Sequence, residues 1–187
     1  NGYEHLNPRG HYFGFCDPAH ARYDEKWKCN QKLIGLYSFL NISANPWNPE
    51  DDHGHGSHTA STAAGNFVTA PFRASNVTLD LEVSGVAPHA NIIAYDACFA
   101  TSNGLGGCPP DATLAALNQA LRDGVDVVNY SISTSTGSPW EDPHMLAFRS
   151  LRAAGVFAAV SAGNEGPTAG TTAAIAPWIT AVAATTN

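Results

Sequence analysis

The run Asp51-Asp52-His53-Gly54-His55-Gly56-Ser57-His58 passes directly into Thr59-Ala60-Ser61-Thr62-Ala63-Ala64-Gly65, so an imidazole stands where a loop becomes a helix of small residues. Such a position suits a general base. A histidine at the start of a helix meets the positive end of the helix dipole, which favours the neutral, proton-accepting ring. Gly54 and Gly56 allow close backbone approach on both sides of His55. Ser57 through Ala64 are small enough to pack tightly against a sheet, and Gly65 offers a left-handed end to the helix. The same stretch has a second reading, in which His53, His55, His58 and Asp51 converge on a metal ion. Far along the chain, the apolar run Gly155-Val156-Phe157-Ala158-Ala159-Val160 reads as a buried parallel strand. It leads into Ser161-Ala162-Gly163-Asn164-Glu165-Gly166-Pro167, a tight turn at the end of a strand where open α/β sheets bind their ligands.

The histidine segment resembles the H-G-S/T-H motif of the subtilisin-like serine proteases, in the G-H-G-S/T-H-T-A-S-T-A-A-G form of plant-type members, and the resemblance puts His55 at the catalytic position. The later turn resembles that family's S-A-G-N-x-G-P segment, which implies that Asn164 is the side-chain donor of an oxyanion hole. A carboxamide fits that role because it stabilises charge on the carbonyl oxygen without competing for the base's proton. Between the two, Val125 to Ser133 resembles the family's D-V-I/V-N-x-S-L/I-G strand. The resemblance implies that Ser131, Ile132 and Ser133 pair with an extended peptide and form one wall of its primary specificity pocket, with Ser161, Ala162 and Gly163 as the other wall. Ser133 stands where the family has glycine. Leu105, Gly106 and Gly107 would form the facing edge, their bare backbone suited to strand addition.

The likeness is strongest from about Lys32 to Thr186 and also touches Cys16 to Gly35. It implies an incomplete subtilisin-like α/β fold, a three-layer parallel sheet with helices on both faces. The reaction implied is acyl transfer by a serine, with histidine as base and a carboxylate orienting it. The family's serine motif G-T-S-x and aspartate motif D-S/T-G do not occur in the chain. Asp17, Asp24, Asp51 and Asp52 precede His55, and none follows a hydrophobic strand. The expectation is a piece of a secreted endopeptidase, inactive alone and completed by the rest of a catalytic domain. A noncatalytic peptide-binding module of the same fold and the histidine metal site are the alternatives.

Composition agrees with one domain or most of one: 187 residues with 44% hydrophobic content can bury a substantial core. The expected division is a loop-rich leading segment over residues 1–50 and an α/β core over 51–187. A net charge of −7 without a basic cluster argues against nucleic acid and anionic membrane as partners. No stretch is long and apolar enough to span a bilayer, and no cofactor is implied. The chain opens on Asn1 without a signal peptide pattern, which reads as a processed or excised piece.

Cys16 with Cys29 and Cys98 with Cys108 is the economical disulfide pairing, although four cysteines permit three connectivities. Asn41-Ile42-Ser43 and Asn76-Val77-Thr78 are glycosylation acceptor motifs in loop-like contexts. With the even cysteine count they point to an extracellular protein.

The elements expected to position the chemistry alternate. A strand is expected at Ala90 to Ala97, a helix at Asp111 to Asp123 capped by Asp111 and Gly124, and a strand at Val125 to Ser131. A helix then runs from Pro143 to Ala154 behind Asp142, and a last strand spans Ala176 to Ala184. The Pro/Asn-rich stretch from Asn45 to Pro49 is expected to be a loop.

Overall fold

The computed structural model describes residues 4–41, 46–101, 104–133 and 137–185. Two compact units divide the chain, Asn1–Gly106 and Gly107–Asn187. Three strands of the first unit, β1 (Phe13–Gly14), β2 (Leu33–Ser38) and β5 (Ile92–Asp96), form a parallel sheet in the order β1-β2-β5. The leading fifty residues, expected to be loop-rich, thus contribute two strands. Gly35 is the reason they lie so close: a Cβ there would sit 2.7 Å from Ile93 on one side and 2.8 Å from Phe13 on the other. Phe15, Cys16 and Leu36 form a small buried cluster with Trp27, Trp47 and Cys29 packed on it, and the Cys16–Cys29 disulfide closes it. Cys98 and Cys108 are disulfide-bonded as well, so no free cysteine is found among the described residues.

Helix α1 (His55–Ala64) follows a loop, and then comes an antiparallel hairpin absent from the sequence expectations, β3 (Val68–Ala74) with β4 (Val77–Val83). Ser75 and Asn76 make its two-residue turn, with Ser75 in the left-handed region at φ 54°. Strict alternation sorts its faces. Val68, Ala70, Phe72 and Ala74 stand opposite Val83, Leu81, Leu79 and Val77, while Thr69, Arg73, Asp80 and Glu82 take the other side. Strands β6 (Phe99–Thr101) and β7 (Gly104–Gly107) form a second two-stranded sheet.

In the second unit, β8 (Val127–Tyr130), β9 (Phe157–Ser161) and β10 (Thr180–Val182) pair in parallel in the order β10-β9-β8. Helices α2 (Pro110–Asp123) and α3 (Pro143–Ala153) close one face over a core of Leu117, Tyr130, Met145, Phe148, Leu151, Val156, Ala158 and Val160. Helix α3 begins as the sequence dictates: Asp142 accepts from the amides of His144 and Met145 at 2.9 Å each, and Pro143 fills the first helical position. Gly124 ends α2 in the left-handed conformation at φ 64°. Asp111, expected as the cap of α2, instead lies inside its first turn. Pro109 is the cap residue and Pro110 starts the helix, where a missing N–H costs nothing. The last strand is shorter than expected because Pro177 and Trp178 turn away from the sheet, and the Trp178 indole donates to the Met145 carbonyl at 2.7 Å. The result is parallel sheet with helices, an incomplete α/β fold.

Candidate active site

His55 is the first residue of α1 and is exposed. Gly54 caps the helix at φ 90°, which only glycine adopts easily, and it has no side chain to accept from the first amides. Asp51 does that work from outside the helix. Its Oδ1 accepts from the amides of His53 (3.0 Å) and Gly54 (2.7 Å), and its Oδ2 accepts from Ser57 (2.7 Å). Burial of the carboxyl works toward the neutral acid, but bonds from the Ser57 hydroxyl and these amides outweigh it and hold the group far below the usual carboxylate range. The backbone carrying His55 is therefore fixed by a charged cap. Close approach is not what Gly54 and Gly56 supply: a Cβ on Gly54 would meet nothing within 4 Å, and one on Gly56 only Asp51 at 3.5 Å.

The other end of α1 corrects a second expectation. Gly65 is extended, at φ −58° and ψ 144°, rather than left-handed. The passing segment Gly85-Val86-Ala87 satisfies the helix end instead, its amides donating to the carbonyls of Gly65, Thr62 and Ala63 at 2.8–3.0 Å. Glycine is needed at 65 and 85 because side chains would collide there: a Cβ on either would lie 2.6 Å from the Ser61 carbonyl oxygen. Of the small residues expected to pack tightly, only Ala64 is buried.

Two acidic groups near this loop were not singled out by the sequence. Asp52 accepts from the Ala100 amide at 3.2 Å, tying the loop to β6. Asp96, at the end of β5, accepts from the Ser38 hydroxyl at 2.8 Å. Among the described residues, no three His, Cys, Asp or Glu side chains form a group able to hold a metal ion. His53 and His55 have ring centroids 6.2 Å apart.

Asn164 lies in the second unit, exposed in the bend that leaves β9. Beside it, the two walls implied by the resemblance do come together. Tyr130 and Val160 are register partners, so Ser131–Ser133 and Ser161–Gly163 leave adjacent strands side by side. Gly163 has φ 95°, and a Cβ there would lie 3.7 Å from the Ser133 hydroxyl. The serine in place of glycine therefore narrows the space between the walls. Ala162 is already engaged, its amide donating to Val182 at 2.8 Å and its carbonyl accepting from Ala173 at 3.0 Å. Gly106 and Gly107 belong to β7, and Gly106 has a local reason to be glycine: a Cβ there would strike Phe99 and lie 2.6 Å from a Thr101 methyl. Of Leu105 only the backbone is described.

The profile of the Subtilase family matches residues 30–187, and the chain belongs to that family. It is 38% identical to subtilisin-like protease SBT1.6 of Arabidopsis thaliana over 92% of this chain and 23% of that one. It is also 38% identical to SBT2.1 of the same plant over 85% of this chain and 20% of that one. The chain thus spans about a quarter of the length of these relatives. Among solved structures, sphericase superposes on 79% of this chain and 44% of its own with a TM-score of 0.52 at 24% identity, which shows a shared fold. The architecture is an incomplete subtilisin-like α/β fold.

Proposed function

We propose that the chain is the middle of the catalytic domain of a secreted serine endopeptidase that hydrolyses peptide bonds with an Asp/His/Ser triad. His55 takes the proton of a serine supplied from outside these residues, and Asn164 donates its carboxamide N–H to the oxygen of the tetrahedral intermediate. Ser131, Ile132 and Ser133 pair with the extended substrate, with Gly106 and Gly107 on the opposite side of the peptide. Alone the chain is inactive, because base and oxyanion donor without nucleophile leave weak residual catalysis.

The observation that carries this reading is the adjacency of Ser131–Ser133 and Ser161–Gly163 in a chain whose residues 30–187 match the family. Secretion is supported by cysteines that are all disulfide-bonded and by the exposed sequon at Asn76 in the β3–β4 turn. Glycosylation there belongs to the same proposal. Of the other sequon, Ile42 and Ser43 lie outside the described residues, as does Asn45 of the Pro/Asn-rich stretch.

The test is labelling of the intact protein by a serine-directed phosphonate. Labelling is expected, and His55→Ala should slow it on the order of 10²–10⁴-fold. An unchanged rate in that variant would remove His55 from the mechanism.

A further inference from the structure

A cleft of about 400 Å³ opens in the second unit where the first turns of α2 and α3 meet the end of β8. Its floor is a connected run of polar side chains. Tyr130 is hydrogen-bonded to Thr113, Thr113 Oγ1 lies 2.7 Å from His144 Nε2, and His144 Nδ1 lies 3.9 Å from Asp142 Oδ1. Thr113 is 2% exposed and Tyr130 7%, so this network is built into the core. Thr113 Oγ1 also lies 3.2 and 3.1 Å from the carbonyl oxygens of Pro109 and Pro110, so the hydroxyl is fully surrounded by polar partners.

The cap bonds of α3 both fall on Asp142 Oδ1, so Oδ2 keeps its acceptor capacity. Asp111 adds a second carboxylate, and among the described residues neither lysine nor arginine lines the cleft. Two helix N-termini point the other way electrostatically, but each carries roughly half a positive charge against a full negative charge on each carboxylate. Negative charge wins. Leu114 and Ile132 supply apolar wall for a methylene stem.

Ile132 and Ser133 line this cleft and also belong to the edge proposed above to pair with the peptide. We propose that Asp111 and Asp142 are specificity-determining residues that draw a basic side chain of the bound peptide, lysine or arginine, into this cleft; the peptide as its source rests on the endopeptidase reading. The cleft as a whole makes the selection: apolar walls take the stem, and the two carboxylates accept from a donor-rich head.

The experiment titrates the intact protein with n-butylguanidinium and with its uncharged counterpart n-butylurea, read by saturation-transfer NMR of the probe. The cation should bind at least roughly tenfold more tightly. Asparagine caps a helix as well as aspartate does at position 142, and Asp111 makes no cap bond, so Asp111→Asn with Asp142→Asn removes charge while keeping both helix starts, and it should bring the two probes within about twofold. Equal binding of the probes to the unaltered protein would overturn the assignment, as would a preference that survives the double substitution. Phosphonate labelling of the same samples separates the two readings. Labelling without discrimination removes the cleft assignment alone, and discrimination without labelling removes the endopeptidase reading while the cation site stands.

Discussion

Asp96 and Asp51 are carboxylates of one unit shifted in opposite directions. Burial at the end of β5 raises the Asp96 carboxyl from 3.8 to about 6; bonds from Ser38 and the Cys98 amide oppose this, and the negative charges of Asp52 and Asp51 add to it. Asp51 is lowered by its cap bonds, so what it contributes to stability is present above its unfolded value near 3.8 and lost only as pH falls through its depressed folded value. The sign for Asp96 is reversed. Its raised value means that stability is fully present below about 3.8 and is lost as pH rises through about 6. Asp96→Asn keeps an acceptor for the Ser38 hydroxyl and removes the buried charge. The variant should match the unaltered protein at pH 4 and be more stable at pH 8 by about 1–3 kcal/mol, measured by urea unfolding at both pH values. A difference of the same size at the two pH values would mean that the charge is not what distinguishes them.

Elements whose ends depend on local chemistry were readable from the sequence. Asp142 and Pro143 open α3 and Gly124 closes α2, because a cap and a left-handed residue act within one turn of where they stand. The start of α1 was readable at His55 for the same reason. Its cap was not, since Asp51 reaches forward as far as the Ser57 amide, six residues ahead. Gly65 misled because the helix end is satisfied by Gly85–Ala87, twenty and more positions on, while its own lack of a side chain answers to the Ser61 carbonyl. The adjacency of Ser133 and Gly163 could be stated only through the resemblance, since no local pattern fixes strand order. The β3–β4 hairpin went unread although its signal was present: Val77-Thr78-Leu79-Asp80-Leu81-Glu82-Val83 alternates strictly. Val68, Phe72, Val77, Leu79, Leu81 and Val83 are all exposed. Such a stripe promotes association. Leu79→Thr with Leu81→Thr should shift the 187-residue chain toward monomer in sedimentation velocity while changing its stability by no more than about 0.5 kcal/mol per site. Unchanged association would clear the hairpin of that role.

Across the whole molecule, polar composition and exposed apolar surface stand in tension. The net charge is −7, yet the face of the β8–β9–β10 sheet away from α2 and α3 carries Val127, Phe157 and Val182 at 60%, 47% and 55% exposure. Register puts them on one face: Val127 pairs with Phe157, and Val182 pairs with Ser161, four residues beyond Phe157 along β9. Parallel sheets are covered on both faces in folded α/β proteins, and this chain spans only about a quarter of its relatives' length. If the chain is part of a longer protease, as proposed, the apolar face calls for a cover from outside the second unit. Phe157→Ala distinguishes the two situations. In the 187-residue chain, where the ring is half exposed, the substitution should cost less than about 1 kcal/mol. In the intact protein it should cost about 3–5 kcal/mol, the loss typical of a buried phenylalanine, with both values taken from urea unfolding. A small cost in both would mean that this face stays bare and that the sheet is covered on one side only.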